Sequence, residues 1–204
     1  SPASESCPPH TVSVRSLVEF VLQAGDLTPG GFQRRDRAQL GTQGHKRVQR
    51  SRPAGYQTEV EIAYLVEGAD PPLELRGRID GLYADQQPPI LEELKSTTLS
   101  LERIDAQHNP LHWAQAMVYA YIYARQHALS HICIHLTYFH LDSLAEKTFA
   151  HEYPLAELGT FFDDLVARYL AWWRKVQAWQ AQRDQSIQQL DFPYPDYRPG
   201  QREM

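Results

Sequence analysis

Cysteine is nearly missing from this chain: Cys7 and Cys133 are the only two among 204 residues. Two thiols exclude a four-thiolate metal cluster and a disulfide framework, so the chain has to be held by its own core. Cys133 lies in an apolar run and reads as a buried thiol, whereas Cys7 sits in a proline- and serine-containing opening. Long apolar runs are lacking too. No stretch reaches the ~18 residues of a membrane span and no signal peptide opens the sequence, so a cytoplasmic location without a membrane partner is expected. Nor is there an excess of positive charge: 20 Lys and Arg against 25 Asp and Glu leave a formal charge of -5, which excludes a generally basic nucleic-acid coat. Internal repeats and low-complexity segments are absent as well. What remains is a globular balance, 42% hydrophobic and 22% charged, at a length suited to one well-cored domain with a tail.

The positive charge that exists is clustered. Arg34, Arg35, Arg37, Lys46, Arg47, Arg50 and Arg52 form a run that is either a local grip on nucleic acid or a solvated helix face.

Periodicity orders the elements. Ser1 to His10 is a polar leader expected to be loosely ordered. Ser13 is placed to N-cap a packing helix through Val14, Leu17, Val18, Val21 and Leu22, ending at Gly25. Phe32 to about Arg50 reads as a very polar helix on which Gly41 and His45 share a face. Tyr56 to Val66 alternates as a strand. Leu73 to Ile79 also alternates, and the turn signal Ala84 to Pro89 links it to Ile90 to Lys95, which makes a hairpin. After a polar connection, Pro110 opens a helix to about Ala128 that carries Gln115 and Tyr119 on one face. His131 to Phe139 suits a buried central strand with Lys147 to Tyr153 as its antiparallel neighbour. A long helix follows, with Leu158, Phe161, Phe162, Leu165, Tyr169, Trp173 and Val176 at spacings of three and four, and its aromatics read as core. From Gln188 the proline-rich sequence ends it.

The hairpin carries the chemistry. With the turn centred between Gln86 and Gln87, Asp80 falls opposite Glu93, where cross-strand side chains approach within roughly 5 Å. Lys95 lies on the Glu93 face, Glu92 points the other way, and Glu59 on the preceding strand could face the same cleft. Facing carboxylates suit Mg²⁺ or Mn²⁺, which polarise a phosphoryl oxygen and acidify water, while an adjacent ammonium offsets developing charge. The same residues would equally make an ordinary salt bridge on a solvated sheet face. Spacing alone leaves both open.

Taken together, Gly41-x-x-x-His45, Gly77-Arg78-Ile79-Asp80, Glu93-Leu94-Lys95 and Gln115-x-x-x-Tyr119 resemble, in order, the RecB-like branch of the PD-(D/E)XK nucleases. That resemblance covers about Val12 to Phe149 and implies an α/β restriction-endonuclease-like core: a mixed central sheet flanked by helices, here with a long C-terminal helix. It implies metal ligation by His45, Asp80, Glu93 and the main-chain carbonyl of Leu94, with Mg²⁺ or Mn²⁺ as cofactor. Lys95 would serve the water or the transition state. Gln115 and Tyr119 would steady the catalytic lysine and DNA phosphate; Arg47 and Arg78 are expected as further DNA contacts. The cysteines that build an iron-sulfur cluster in many relatives are missing, so no such cluster is expected. A second resemblance lies in Phe192-Pro193-Tyr194-Pro195-x-Tyr197-Arg198-Pro199-x-Gln201, which is similar to the opening of DinG/XPD-type superfamily 2 helicases. The expected organisation is therefore a leader (1–11), a nuclease domain (12–187), and a linker with the start of a truncated helicase domain (188–204). The expected activity is metal-dependent hydrolysis of single-stranded or tailed DNA delivered by the attached helicase. A weakly catalytic module that only binds single-stranded DNA, and an interaction domain docking through its aromatic C-terminal helix, are the rivals.

Overall fold

A computed structural model describes residues 9–23 and 33–189, with the backbone alone for 33–40. The expected Gly25 helix end, Cys7 and the helicase-like motif after residue 189 lie outside the described residues. The fold is mixed α/β. Its sheet has six strands: β1 (His10–Ser13), β2 (Gln57–Leu65), β3 (Leu73–Tyr83), β4 (Ile90–Thr97), β5 (His131–His140) and β6 (Glu146–Pro154). The order is β1-β3-β4-β5-β6, with β2 joined to the free side of β3. β1 and β5 pair in parallel with β3 and β4, and the other pairings are antiparallel, so the sheet is mixed as expected.

Three helices cover one face: α1 (Val14–Leu22), α3 (Pro110–Gln126) and α4 (Leu155–Gln188). Their apolar stripes meet Leu73, Leu75, Ile79, Leu91, Ile132 and Ile134 in the main core. Ser13 caps α1 as expected, accepting the Ser16 N–H at 3.0 Å, and Pro110 lies in the first turn of α3 as expected; the cap of α3 is Asn109, read from the sequence only as the end of a connection, which accepts the Leu111 N–H at 3.0 Å. Burial along α4 stops at Leu170: Trp172 and Trp179 are 38% and 60% exposed, so the stripe continues past the core it serves.

The other face is covered by α2 (Gln33–Arg50), whose Val48 packs on Leu94 and Phe139. Close approach requires glycine here. A Cβ on Gly44 would sit 2.5 Å from the Phe139 ring, and one on Gly41 would crowd the Ser96 hydroxyl at 3.2 Å. Cys133 falls on this second face of β5, away from the main core, and is half-buried rather than fully buried as expected.

Two features place the site. The first is β1, which starts at His10 inside the stretch read as a leader. It is anchored by the His10 ring, 2.8 Å from the Tyr169 hydroxyl and stacked on Trp173 at 3.8 Å. β1 pairs with Leu73 to Arg76, and β4 pairs with Gly81 to Tyr83 on the same edge of β3. Gly77 to Asp80 is left between them without a strand partner on that edge. The second is a buried ionic cluster behind the hairpin. Glu92 accepts from Arg52 Nη2 and Nε at 2.8 and 3.0 Å, from the Tyr56 hydroxyl at 2.8 Å and from the Thr137 hydroxyl at 2.8 Å. Arg52 also meets Glu146 at 2.8 Å. Arg52 is thus drawn out of the basic run and is not on a solvated face. Because Glu92 precedes Glu93, this cluster fixes which face each carboxylate takes.

Breaking one partner of a buried ion pair leaves a charge without compensation. Arg52→Ala is expected to lower stability by about 3–5 kcal/mol in urea unfolding, and Arg52→Ala with Glu92→Gln to recover part of that loss. A loss below about 1 kcal/mol for Arg52→Ala would contradict this role.

Candidate active site

The gap in β3 opens onto a cleft of about 780 Å³, with walls from α1, α2 and the start of α3 and a floor from β3 and β4. The hairpin has the expected register: Gly81 pairs with Glu92, so Asp80 and Glu93 occupy the next rung outward. That rung is not made by main-chain bonds. Asp80 Oδ2 accepts the Leu94 N–H at 2.8 Å instead, and the strands part with the two carboxylates between them.

Glu93 is 1% exposed, and one of its oxygens, Oε1, receives the Lys95 ammonium at 2.6 Å. The other, Oε2, is buried and has no hydrogen-bond partner, the one such side-chain atom among the described residues. Burial pushes the Glu93 carboxyl above its usual range; Lys95 pulls against this and the Asp80 charge adds to it. Lys95 also donates to Gln115 Oε1 at 3.2 Å. His45 reaches in from α2, its Nδ1 3.7 Å from Asp80 Oδ1, past the Phe139 ring that it meets edge-on.

Leu94 contributes main chain to the cleft and its side chain to the Val48 cluster. Tyr119 lies beneath the floor. A Cβ on Gly77 would stand 2.5 Å from its ring, and its hydroxyl, hydrogen-bonded with the Gln115 side chain and the Arg78 main chain, is pushed up to about 12, mainly by burial. Arg78 is 63% exposed at the rim and ion-paired with Glu59, which lines the cleft as its strand position allowed. Arg47 is exposed on α2 and is not among the lining residues, whereas its neighbour Lys46 is. The structure therefore brings His45, Asp80, Glu93, Leu94, Lys95, Gln115 and Arg78 to one cleft, with Tyr119 supporting it from below. Among the described residues no three His, Cys, Asp or Glu side chains are yet gathered closely enough to enclose a metal ion. The donor set nevertheless fits one: the orphaned Glu93 oxygen is a buried acceptor lacking a positive partner, and Asp80 and His45 stand beside it.

Several lining residues are not among the site candidates that the sequence offers. Arg15 and Glu19, ion-paired at 2.7 Å, present one side of α1 to the cleft although that helix reads as packing only. His112, on the first turn of α3, is held at both ring nitrogens, by Asn109 Nδ2 at 3.1 Å and by the Tyr138 hydroxyl at 2.9 Å. Asn109 Oδ1 is committed to the helix cap, so its amide nitrogen donates to His112 Nε2 and the ring carries its proton on Nδ1.

A model of the PD-(D/E)XK nuclease superfamily matches residues 13–199. The chain belongs to this superfamily, which implies a nuclease, and its members usually use divalent metal ions. A solved structure described as "Crystal structure of SSO0001" is similar at 18% identity over 80% of this chain and 79% of its own, with a TM-score of 0.46. No curated protein matches the chain. Among the described residues no helix is long and apolar enough to cross a membrane.

The His112 ring offers a test independent of catalysis. Burial first, then the charges of Lys95, His108 and Arg15, lower its pKa from 6.5 to about 3. Below 6.5 the unfolded chain takes up a proton that the folded chain refuses, so this ring's stabilisation is full above that pH and falls as pH drops toward 3. Wild-type protein is expected to lose more stability between pH 7 and pH 4 than His112→Gln does, as followed by urea unfolding; parallel losses would contradict a buried neutral ring.

Proposed function

We propose that this chain is a divalent-metal-dependent deoxyribonuclease of the RecB-like branch, cutting single-stranded or tailed DNA as the nuclease module of a DinG/XPD-type helicase-nuclease. The observation that carries the reading is the buried, partnerless Glu93 Oε2 on the floor of a cleft that also holds Asp80, Lys95 and His45. Asp80, Glu93, His45 and the Leu94 carbonyl would hold Mg²⁺ or Mn²⁺, and a histidine in the set makes Mn²⁺ at least as well suited. When bound, the ion supplies Lewis acidity toward a phosphoryl oxygen and lowers the pKa of water.

The residues themselves do the rest. Lys95, held between Glu93 and Gln115, keeps a positive charge on the cleft floor, where it orients water and offsets charge on the phosphoryl oxygens. Gln115 and Tyr119 steady that lysine. Arg78, Lys46 and Arg15 supply cations for phosphate along the walls. Among the charged lining residues, Arg15, Lys46, Arg78 and Lys95 balance Glu19, Glu59, Asp80 and Glu93. A divalent ion tips that balance positive, which strengthens the hold of the cleft on a polyanion. Attachment to a helicase is supported by the Phe192 to Gln201 motif alone.

The test uses end-labelled single-stranded, tailed and blunt duplex DNA with Mn²⁺, Mg²⁺ or chelator. Cleavage is expected with metal only, faster on single-stranded or tailed DNA, and lower by about 100-fold or more in Asp80→Ala and Lys95→Ala. Cleavage in chelator, or an unaffected Asp80→Ala, would overturn the proposal. Tight binding without cutting under every condition would favour the binding-module rival.

A further inference from the structure

The β2–β3 ladder has rungs at Thr58 with Gly81 and at Val60 with Ile79, but the rung between them, Glu59 with Asp80, is not made. Glu59 instead takes φ 55°, a left-handed conformation that non-glycine residues seldom adopt within a strand. The gap is filled from another element. Gln49 Nε2 donates to the Asp80 carbonyl at 2.8 Å and to Glu59 Oε1 at 2.9 Å. Both neighbours are acceptors, so the amide nitrogen rather than its oxygen has to face them. Gln49 is 8% exposed and does not line the cleft.

Its place on α2 gives this bond its meaning. His45 and Gln49 are one helical turn apart and share a face, and His45 Nδ1 stands 3.7 Å from Asp80 Oδ1. The helix therefore meets Asp80 twice, at its carboxylate through His45 and at its main chain through Gln49.

We infer that Gln49 is a positioning residue for the metal centre: it replaces the missing strand rung at Asp80 and locks that residue to the helix bearing His45. The inference rests on the metal-site reading above. Gln49 touches neither substrate nor the reacting atoms. It acts through Asp80, as outer partners of metal ligands do, and such partners typically set affinity by 10- to 100-fold.

The test compares wild type, Gln49→Met and Asp80→Ala as the full 204-residue chain. Met keeps the side chain's length and removes its donor. Mn²⁺ affinity is read directly from the free-ion signal in electron paramagnetic resonance, alongside circular dichroism and DNA binding in chelator. Gln49→Met is expected to retain its fold and its metal-free DNA binding, to hold Mn²⁺ roughly 10- to 100-fold more weakly, and to regain cleavage when Mn²⁺ is raised by the same factor. A purely structural defect would not be restored by metal. Mn²⁺ affinity within about twofold of wild type, or a cleavage defect that excess Mn²⁺ leaves in place, overturns the role. If Asp80→Ala abolishes Mn²⁺ binding while Gln49→Met leaves it intact, only the Gln49 role fails; if Asp80→Ala also binds normally, the metal reading fails and takes this role with it. Should Gln49→Met melt below the assay temperature, Gln49→Asn, which draws the donor back by one methylene, carries the same expectation of weaker Mn²⁺ binding.

Discussion

Asp80 spends one carboxylate oxygen on the Leu94 N–H, at 2.8 Å, in the place where a strand partner's carbonyl would stand. Much of the molecule follows from that substitution. The hairpin closes normally for three rungs beyond the turn, then opens, because the donor that would continue the ladder is already satisfied by a side chain. β1 occupies the same edge of β3 farther back, so the opening is bounded on both sides and becomes a window. Lys95 and Glu93 stand on one margin of it and Asp80 on the other. An open strand edge would ordinarily be a defect. Here it admits Tyr119 from below, where Gly77 has no side chain to obstruct it.

The charge arrangement depends on what lies behind the sheet. A carboxylate as buried as Glu93 is tolerated because Lys95 holds one oxygen, and the cost of the other remains in the structure as an orphaned acceptor with a raised pKa. Adjacent Glu92 has the opposite fate, with Arg52, Tyr56 and Thr137 satisfying both its oxygens. Two neighbouring glutamates on one strand thus divide into a structural anchor and a buried carboxylate with one oxygen left without a partner. The anchor keeps the strand from slipping by one residue, a slip that would exchange their faces.

The hairpin register was legible because it is local: the Gln86–Gln87 turn centre and the alternation on either side suffice to set Asp80 against Glu93. The Ser13 cap and the helix start at Pro110 were legible for the same reason. β1 was not, since four residues from His10 to Ser13 carry too short a pattern and their partner lies some sixty positions away. Arg52 was read with its basic neighbours because its partners, Glu92 and Glu146, belong to remote strands. The cleft-facing side of α1, with Arg15 and Glu19, is masked in the sequence by the stronger apolar side of that helix. Gln49 shares a helical face with His45 and could have been noticed there. Its meaning needed the absent rung at Asp80, which no spacing reveals. On α4 the pattern runs to Val176 while burial ends at Leu170, because periodicity marks an apolar face and not how far the core beneath it extends.

The most direct measurement is anomalous X-ray diffraction from crystals of this protein soaked in Mn²⁺, which locates the ion without reference to activity. A peak between Asp80 and the free oxygen of Glu93, with His45 drawn to it and Lys95 still beside the site, is the predicted result. A map with no peak there, or with manganese held only elsewhere on the surface, would contradict the central claim that the parted strands exist to seat a cation.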